Sequence, residues 1–274
     1  MNPSTLKPFD FFAGPKPRIL GHRGAAGEAP ENTLVSFERA LADGVGFVEL
    51  DVRGSADGEV VIIHDATLER TTNGRGRVSE RGLKDLQTLD AGYWFTKDGG
   101  ATYPYRGQGV GIPTLGELFS TLPQIRTIIE IKQVHPPIVK RVVEIILRAG
   151  KAGQVLLATE ENRIMQQIRQ EIRERDLPIA TGFAHGDVSA FMAWLAEGRR
   201  ELYRPPGQAM QIPTEYAGMT LVSEQTLEAA HELGVETFVW TVNDAAEMER
   251  LLKLGADGII TDYPGRLSAL LAVK

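Results

Sequence analysis

GFVELDVRGSADGEVVIIHD, residues 46–65, sets the organisation of this chain. Phe47, Val48 and Leu50 are apolar strand formers, and Glu49 and Asp51 stand two positions apart between and beyond them. In a strand, positions i and i+2 project from the same face. Two carboxylates therefore point the same way at the end of an otherwise buried strand, which is costly unless something positive lies between them. Residues 60–65 (VVIIHD) read as a return strand, and Asp57-Gly58 is a strong hairpin signal. A hairpin closed on that dipeptide sets Asp51 opposite His64. The pattern predicts a histidine folded back beside two carboxylates.

The rest of the chain supplies a large α/β frame for that site. At 274 residues it can bury one large barrel core or two smaller ones. A hydrophobic share of 42% with 24% charged residues marks a globular chain, neither disordered nor membrane-embedded. A net charge of −6 without a long Lys/Arg run argues against a nucleic-acid partner. With no cysteine there are no disulfides and no thiolate zinc site, which suits a reducing compartment. The first twenty residues hold no continuous apolar core, and no run approaches the roughly 20 apolar residues of a membrane span. A cytoplasmic protein with no integral membrane segment is expected.

Residues 17–20 lead into Gly21-His22-Arg23-Gly24, a first strand ending in a basic pair whose flanking glycines allow backbone and ligand to approach closely. Asn32 or Thr33 can cap a helix that carries Leu34, Phe37 and Leu41 on one face and stops at Gly44. The Glu49/Asp51 strand follows, and strands are then expected over 127–132, 154–159, 178–182, within 209–220, and over 235–242 and 258–261. Helices are expected between them over 137–148, 162–175, 188–195, 223–233 and 244–254, with a last one over 266–273. Eight parallel strands with intervening helices predict a (β/α)8 TIM barrel. It is preferred to an open doubly wound sheet because chemical residues end several different strands and no GxGxxG opens the first crossover. Residues 66–112 break the rhythm and are too long for an ordinary loop. They are expected to form a small insertion over the barrel mouth within a single domain spanning 1–274, with Tyr93, Trp94 and Phe95 packing it or lining the entrance.

Active sites of such barrels lie where strands end. There the sequence places His22 and Arg23, Glu49 and Asp51, His64, and Glu130 and Lys132. Three carboxylates on neighbouring strands suit a hard divalent cation, Mg²⁺ or Ca²⁺, better than zinc, although either histidine could serve zinc. Arg23 and Lys132 are placed to bind an anion such as phosphate, unless Lys132 only pairs with Glu130. The histidines can act as an acid and a base. No GxSxG elbow or reactive cysteine offers a protein nucleophile, so water or a substrate hydroxyl must attack.

These residues carry a family resemblance. HRG (22–24), PENT (30–33), ELDV (49–52), HD (64–65), LERTTNGRG (68–76), EIK (130–132), WTVN (240–243) and TDYP (261–264) together resemble the glycerophosphodiester phosphodiesterases of the phospholipase C-like superfamily. The resemblance covers nearly the whole chain, and no central motif position departs from the pattern. It implies a TIM barrel with an inserted cap, acting on a small glycerophosphodiester to release glycerol 3-phosphate and an alcohol. Glu49, Asp51 and Glu130 would then be metal ligands, His22 and His64 the acid/base pair, and Arg23 and Lys132 phosphate clamps. Trp240 would be an apolar wall for the glycerol moiety or a core residue. Glu31 and Asn32 would brace the site or merely begin a helix. The expected route is attack by the glycerol hydroxyl to give a cyclic phosphate, which water then opens; which histidine is acid and which base is open. The alternatives are a phosphodiesterase of lysophospholipids or other phosphorylated headgroups, a metal hydrolase using hydroxide, and a non-catalytic phosphometabolite-binding protein. The His22/His64 pair argues against the last, since binding alone needs no acid/base couple.

Overall fold

The computed structural model of the chain describes residues 9–198 and 202–272. The expectation for residues 1–8 and the last expected helical residue, Val273, lie outside them. In chain order the strands are β1 (Arg18–His22), β2 (Phe47–Gly54), β3 (Val60–Ile62), β4 (Arg126–Ile131), β5 (Val155–Ala158), β6 (Ala180–Thr181), β7 (Ala209–Ile212), β8 (Glu215–Tyr216), β9 (Met219–Thr220), β10 (Glu236–Val239) and β11 (Gly258–Thr261). The helices are α1 (Leu34–Ala42), α2 (Leu83–Leu86), α3 (Leu115–Thr121), α4 (Val139–Arg148), α5 (Asn162–Glu174), α6 (His185–Ala196), α7 (Glu224–Glu232), α8 (Ala245–Leu254) and α9 (Pro264–Ala272).

Among the described residues, eight parallel strands pair in the order β6-β5-β4-β2-β1-β11-β10-β7. A parallel bridge between Gly182 and Ala209 joins the two ends of that order, closing the barrel. Strand alternation decides what faces inward. Val48, Leu50 and Val52 of β2 pack outward with α1, α3 and α4, whereas Phe47 joins the barrel interior. Leu20, Ile128, Leu156, Phe238 and Ile260 fill the same interior. Glu49 and Asp51, on the parity of Phe47, therefore stand above this apolar layer, as do His22 above Leu20 and Glu130 above Ile128. Phe11, in a short 3₁₀ turn before β1, is buried against Phe47 and Phe238 in that interior. No pattern in residues 9–13 announces this N-terminal plug.

Two local expectations are corrected. The hairpin pairs Val52 with Ile62, so Asp51 lies opposite Ile63 and not His64. Its loop is one residue longer than a two-residue turn: Ser55 N–H donates to Glu59 O at 2.9 Å, and Gly58 sits at φ 81°. A three-residue loop ending in a left-handed glycine shifts the register by one. The glycines flanking His22-Arg23 also serve packing instead of ligand approach. A Cβ on Gly21 would lie 2.3 Å from Gly24 O, and one on Gly24 would lie 2.4 Å from Ser36 Oγ of α1. In addition, the region of 209–220 holds a second small hairpin, β8-β9, beyond β7.

Residues 66–112 carry their own small core, in which Leu68, Val78, Leu86, Val110 and Ile112 pack on Val61 and Ile63. Tyr93, Trp94 and Tyr103 surround the Arg106 guanidinium, and Phe95 packs on Tyr105.

Candidate active site

The ladder places the chemical residues side by side. His22 is the register partner of Glu49 across β1 and β2, and Asp51 is the partner of Glu130 across β2 and β4. One oxygen from each of Glu49, Asp51 and Glu130 lies within 4.8 Å of the others. These carboxylates share a cleft of about 190 Å³ with His22, Arg23, His64 and Lys132. Its apolar wall includes Ile128, Phe183, Trp240 and Ile260.

Each group is held by neighbours. Asn32 grips Asp51 twice: its Nδ2 donates to Asp51 Oδ2 at 2.8 Å, and its Oδ1 accepts from the Asp51 N–H at 3.2 Å. Thr33 caps α1, which frees Asn32 for this task. Arg23 and Asn32 both adopt left-handed backbone, at φ 51° and 58°, a conformation costing about 1–3 kcal/mol for a non-glycine residue. The Arg23 guanidinium lies 3.2 Å from Asp51 and donates to Glu31 at 2.7 Å. Lys132 Nζ lies 2.7 Å from Glu130 and 3.5 Å from Asp51, so it pairs with the carboxylates while facing the cleft.

The histidines are mounted alike. His22 Nδ1 is 2.6 Å from Asp262 Oδ1, and His64 Nδ1 is 2.6 Å from Asp65 Oδ1. An ionised carboxylate can only accept, so each Nδ1 carries the proton and Nε2 is left as the basic nitrogen. Asn243 fixes Asp262 from behind, donating to its Oδ2 at 2.6 Å and accepting from its N–H at 2.9 Å. Burial works against the charged form of His22, yet the Asp262 hydrogen bond and nearby Glu49 lift its pKa above the ordinary value. Burial likewise opposes ionisation of Asp65, but hydrogen bonds from Arg70 and His64 hold its carboxyl at about 2.

The acidic cluster is short of positive charge. Burial, then the neighbouring Asp51 charge, pushes Glu49 up to about 8, and burial lifts Glu130 despite Lys132. A hard dication among three convergent carboxylate oxygens would relieve both effects, so the donor set fits such an ion.

Residues 22–266 match the model of the Glycerophosphoryl diester phosphodiesterase family. The chain belongs to this family. A glycerophosphodiester phosphodiesterase of Caldanaerobacter subterraneus subsp. tengcongensis is 32% identical, over 93% of this chain and 98% of the relative. The crystal structure of a glycerophosphodiester phosphodiesterase from Agrobacterium tumefaciens superimposes with a TM-score of 0.73 at 26% identity, covering 93% of this chain and 100% of that one. A phosphodiesterase from Oleispira antarctica, solved in complex with the product sn-glycerol-3-phosphate, gives 0.75 at 26% identity, covering 93% and 97%.

In this member of the glycerophosphoryl diester phosphodiesterase family, all eight residues singled out from sequence line one cleft: His22, Arg23, Glu49, Asp51, His64, Glu130, Lys132 and Trp240. Tyr93, Trp94 and Phe95 are not part of its lining; Trp94 and Phe95 border a separate groove beside Glu31 and Arg70. Sequence reasoning missed the mounts Asp65, Asp262 and Asn243, although all three lie in quoted motifs. It also missed Gln211, which lines the cleft with both amide atoms buried and without a hydrogen-bond partner among the described residues. No periodicity marks a lone glutamine for such a place.

Proposed function

We propose that the protein hydrolyses glycerophosphodiesters to sn-glycerol 3-phosphate and an alcohol, with His22 and His64 as acid/base pair and Glu49, Asp51 and Glu130 holding Mg²⁺ or Ca²⁺. That it is a phosphodiesterase of this substrate class follows from its family and from the relatives described above. The finer assignment is carried by one observation: two cleft histidines, each with Nδ1 tied to an aspartate, border a triad of carboxylates.

A divalent ion on those carboxylates would neutralise charge on a phosphoryl oxygen and lower the pKa of a hydroxyl bound to it. Arg23 and Lys132 hold the phosphate as cations. One histidine takes the proton of a glycerol hydroxyl through Nε2 as that oxygen bonds to phosphorus. The bond from phosphorus to the alcohol breaks, and the other histidine returns a proton to the departing oxygen. Water opens the cyclic phosphate by the same exchange in reverse. Trp240 and Phe183 cover the glycerol carbons, and Gln211 offers its unpaired amide to a hydroxyl. Among the described residues no helix is long and apolar enough to cross a membrane. The cytoplasm is retained as the proposed compartment.

The test is glycerol 3-phosphate release from glycerophosphocholine and glycerophosphoethanolamine with Mg²⁺, Ca²⁺ or EDTA, beside His22→Ala and His64→Ala. Release that requires metal and is lost in both variants supports the assignment. Folded protein that releases nothing with either metal would sink it, and lysophospholipids would be assayed next.

A further inference from the structure

Arg70 belongs to the excursion over residues 66–112, outside the barrel, yet its guanidinium reaches the supports of two cleft residues. Its Nε donates to Asp65 Oδ2 at 2.5 Å, while its two terminal nitrogens donate to Glu31 Oε2 at 2.6 Å and Glu31 Oε1 at 2.8 Å. Both carboxylates are shared. Asp65 uses its other oxygen to hold His64 Nδ1. Glu31 Oε1 also accepts from the Arg23 guanidinium. One planar cation thus spans the mount of the proposed acid/base residue and the mount of the proposed phosphate clamp.

The loop that presents Arg70 is itself braced. Thr72 N–H and Oγ1 both bond Leu68 O, Leu68 N–H bonds Gly76 O, and Gly76 N–H bonds the Glu69 carboxylate. Leu68 is fully buried in the small core beneath. An isolated surface ion pair contributes little. Arg70 differs because it is bidentate to one carboxylate, bonded to a second, and carried on a fixed turn. A lysine could not reproduce that fork.

We propose that Arg70 is a positioning residue that sets His64 through Asp65 and Arg23 through Glu31. The excursion thereby completes the active site without entering the cleft. The inference rests on the roles assigned to His64 and Arg23 above.

Two readouts test it on the full chain, with thermal unfolding confirming that each variant is folded. The first is kinetic: wild type, Arg70→Ala, Arg70→Lys, Asp65→Asn and the Arg70→Ala/Asp65→Asn double variant acting on glycerophosphocholine. Arg70→Ala should lose about tenfold or more in kcat with KM changed far less, the scale expected when a supporting group is removed. Arg70→Lys should stay close to Arg70→Ala. The double variant should lose clearly less than the product of the two single losses, because both act on His64 through Asp65, and the loss beyond Asp65→Asn alone reports the Glu31 branch. The second readout needs no substrate: the downfield Nδ1–H proton resonances of His22 and His64, assigned with the two alanine variants. Arg70→Ala should broaden or shift the His64 signal and spare that of His22. A folded Arg70→Ala protein with wild-type kcat and an unmoved His64 signal would overturn the proposal, as would losses that simply multiply in the double variant. Wild-type protein inactive on every glycerophosphodiester, but with a His64 signal that responds to Arg70→Ala, would retire the substrate assignment and keep the positioning role.

Discussion

The two ends of this barrel bury charge in opposite ways. At the N-terminal end Arg18, 3% exposed, has its charge fully answered. It donates to both oxygens of Glu236, at 3.0 and 2.9 Å, and to the carbonyls of Phe12 and Pro15. Asp257 beside it accepts from Lys16 and from the Thr237 N–H, and its Oδ2 lies 2.9 Å from His231 Nε2. At the C-terminal end Glu49 and Asp51 are equally buried, but they crowd Glu130, and Glu49 is driven up to about 8 by burial and Asp51. Left-handed Arg23 and Asn32 and the unpartnered Gln211 amide belong to this end too. Satisfied charge stabilises the frame; unsatisfied charge is gathered at the proposed site. This is the division of labour expected of the barrel's two faces.

The contrast can be broken from either end. The largest change should come from His22→Ala or His64→Ala, each lowering kcat by about 10²–10⁴-fold with the thermal midpoint little altered, as read by glycerol 3-phosphate release and calorimetry. Arg18→Met should do the reverse. It strands the Glu236 carboxylate and should cost about 3 kcal/mol in denaturant unfolding while leaving kcat near wild type. A large loss of activity in still-folded Arg18→Met would show that the two ends are not separable. Asp262→Asn keeps the shape of the His22 mount but removes its charge and sets an amide donor against His22 Nδ1 or Asn243 Nδ2, and should cost about 10–100-fold in kcat, with thermal unfolding confirming that the variant is folded.

The smallest effect is one of pH. Glu31 is held at about 2, because hydrogen bonds and charge from Arg70 and Arg23 outweigh its burial. A carboxyl depressed in the folded state contributes stability above its unfolded pKa near 4.5 and loses it as pH falls toward 2. Wild-type unfolding free energy should therefore drop between pH 5 and 3 more steeply than that of Arg70→Ala. Parallel curves would mean that the Arg70 fork contributes nothing to the carboxylates it touches.

How much of this was legible beforehand follows from the physics of each signal. Strand parity is read directly from sequence, so Glu49/Asp51 and Glu130/Lys132 were assigned correctly to one face. The barrel was legible because expected strands and helices alternate along the chain and chemical residues end several different strands. The hairpin register was not, since Asp57-Gly58 is compatible with two- and three-residue loops that differ by one residue in pairing. Asp262 and Asn243 were hidden for another reason. Asp262, with Asn243 behind it, meets His22 only because β11 lies beside β1 in the closed barrel, a contact between chain positions 240 residues apart. The role of Arg70 likewise depends on a fold-back that no local pattern announces.

The excursion after β3 ends where it began: Ile62 N–H bonds Pro113 O, and Val61 bridges Thr114. A segment whose two roots touch can lengthen, shorten or be exchanged at little entropic cost to the frame that carries it. The excursion can thus diverge in evolution on its own schedule, under the single condition that the proposed role of Arg70 sets. Whatever replaces the excursion must again deliver a guanidinium to Asp65 and Glu31.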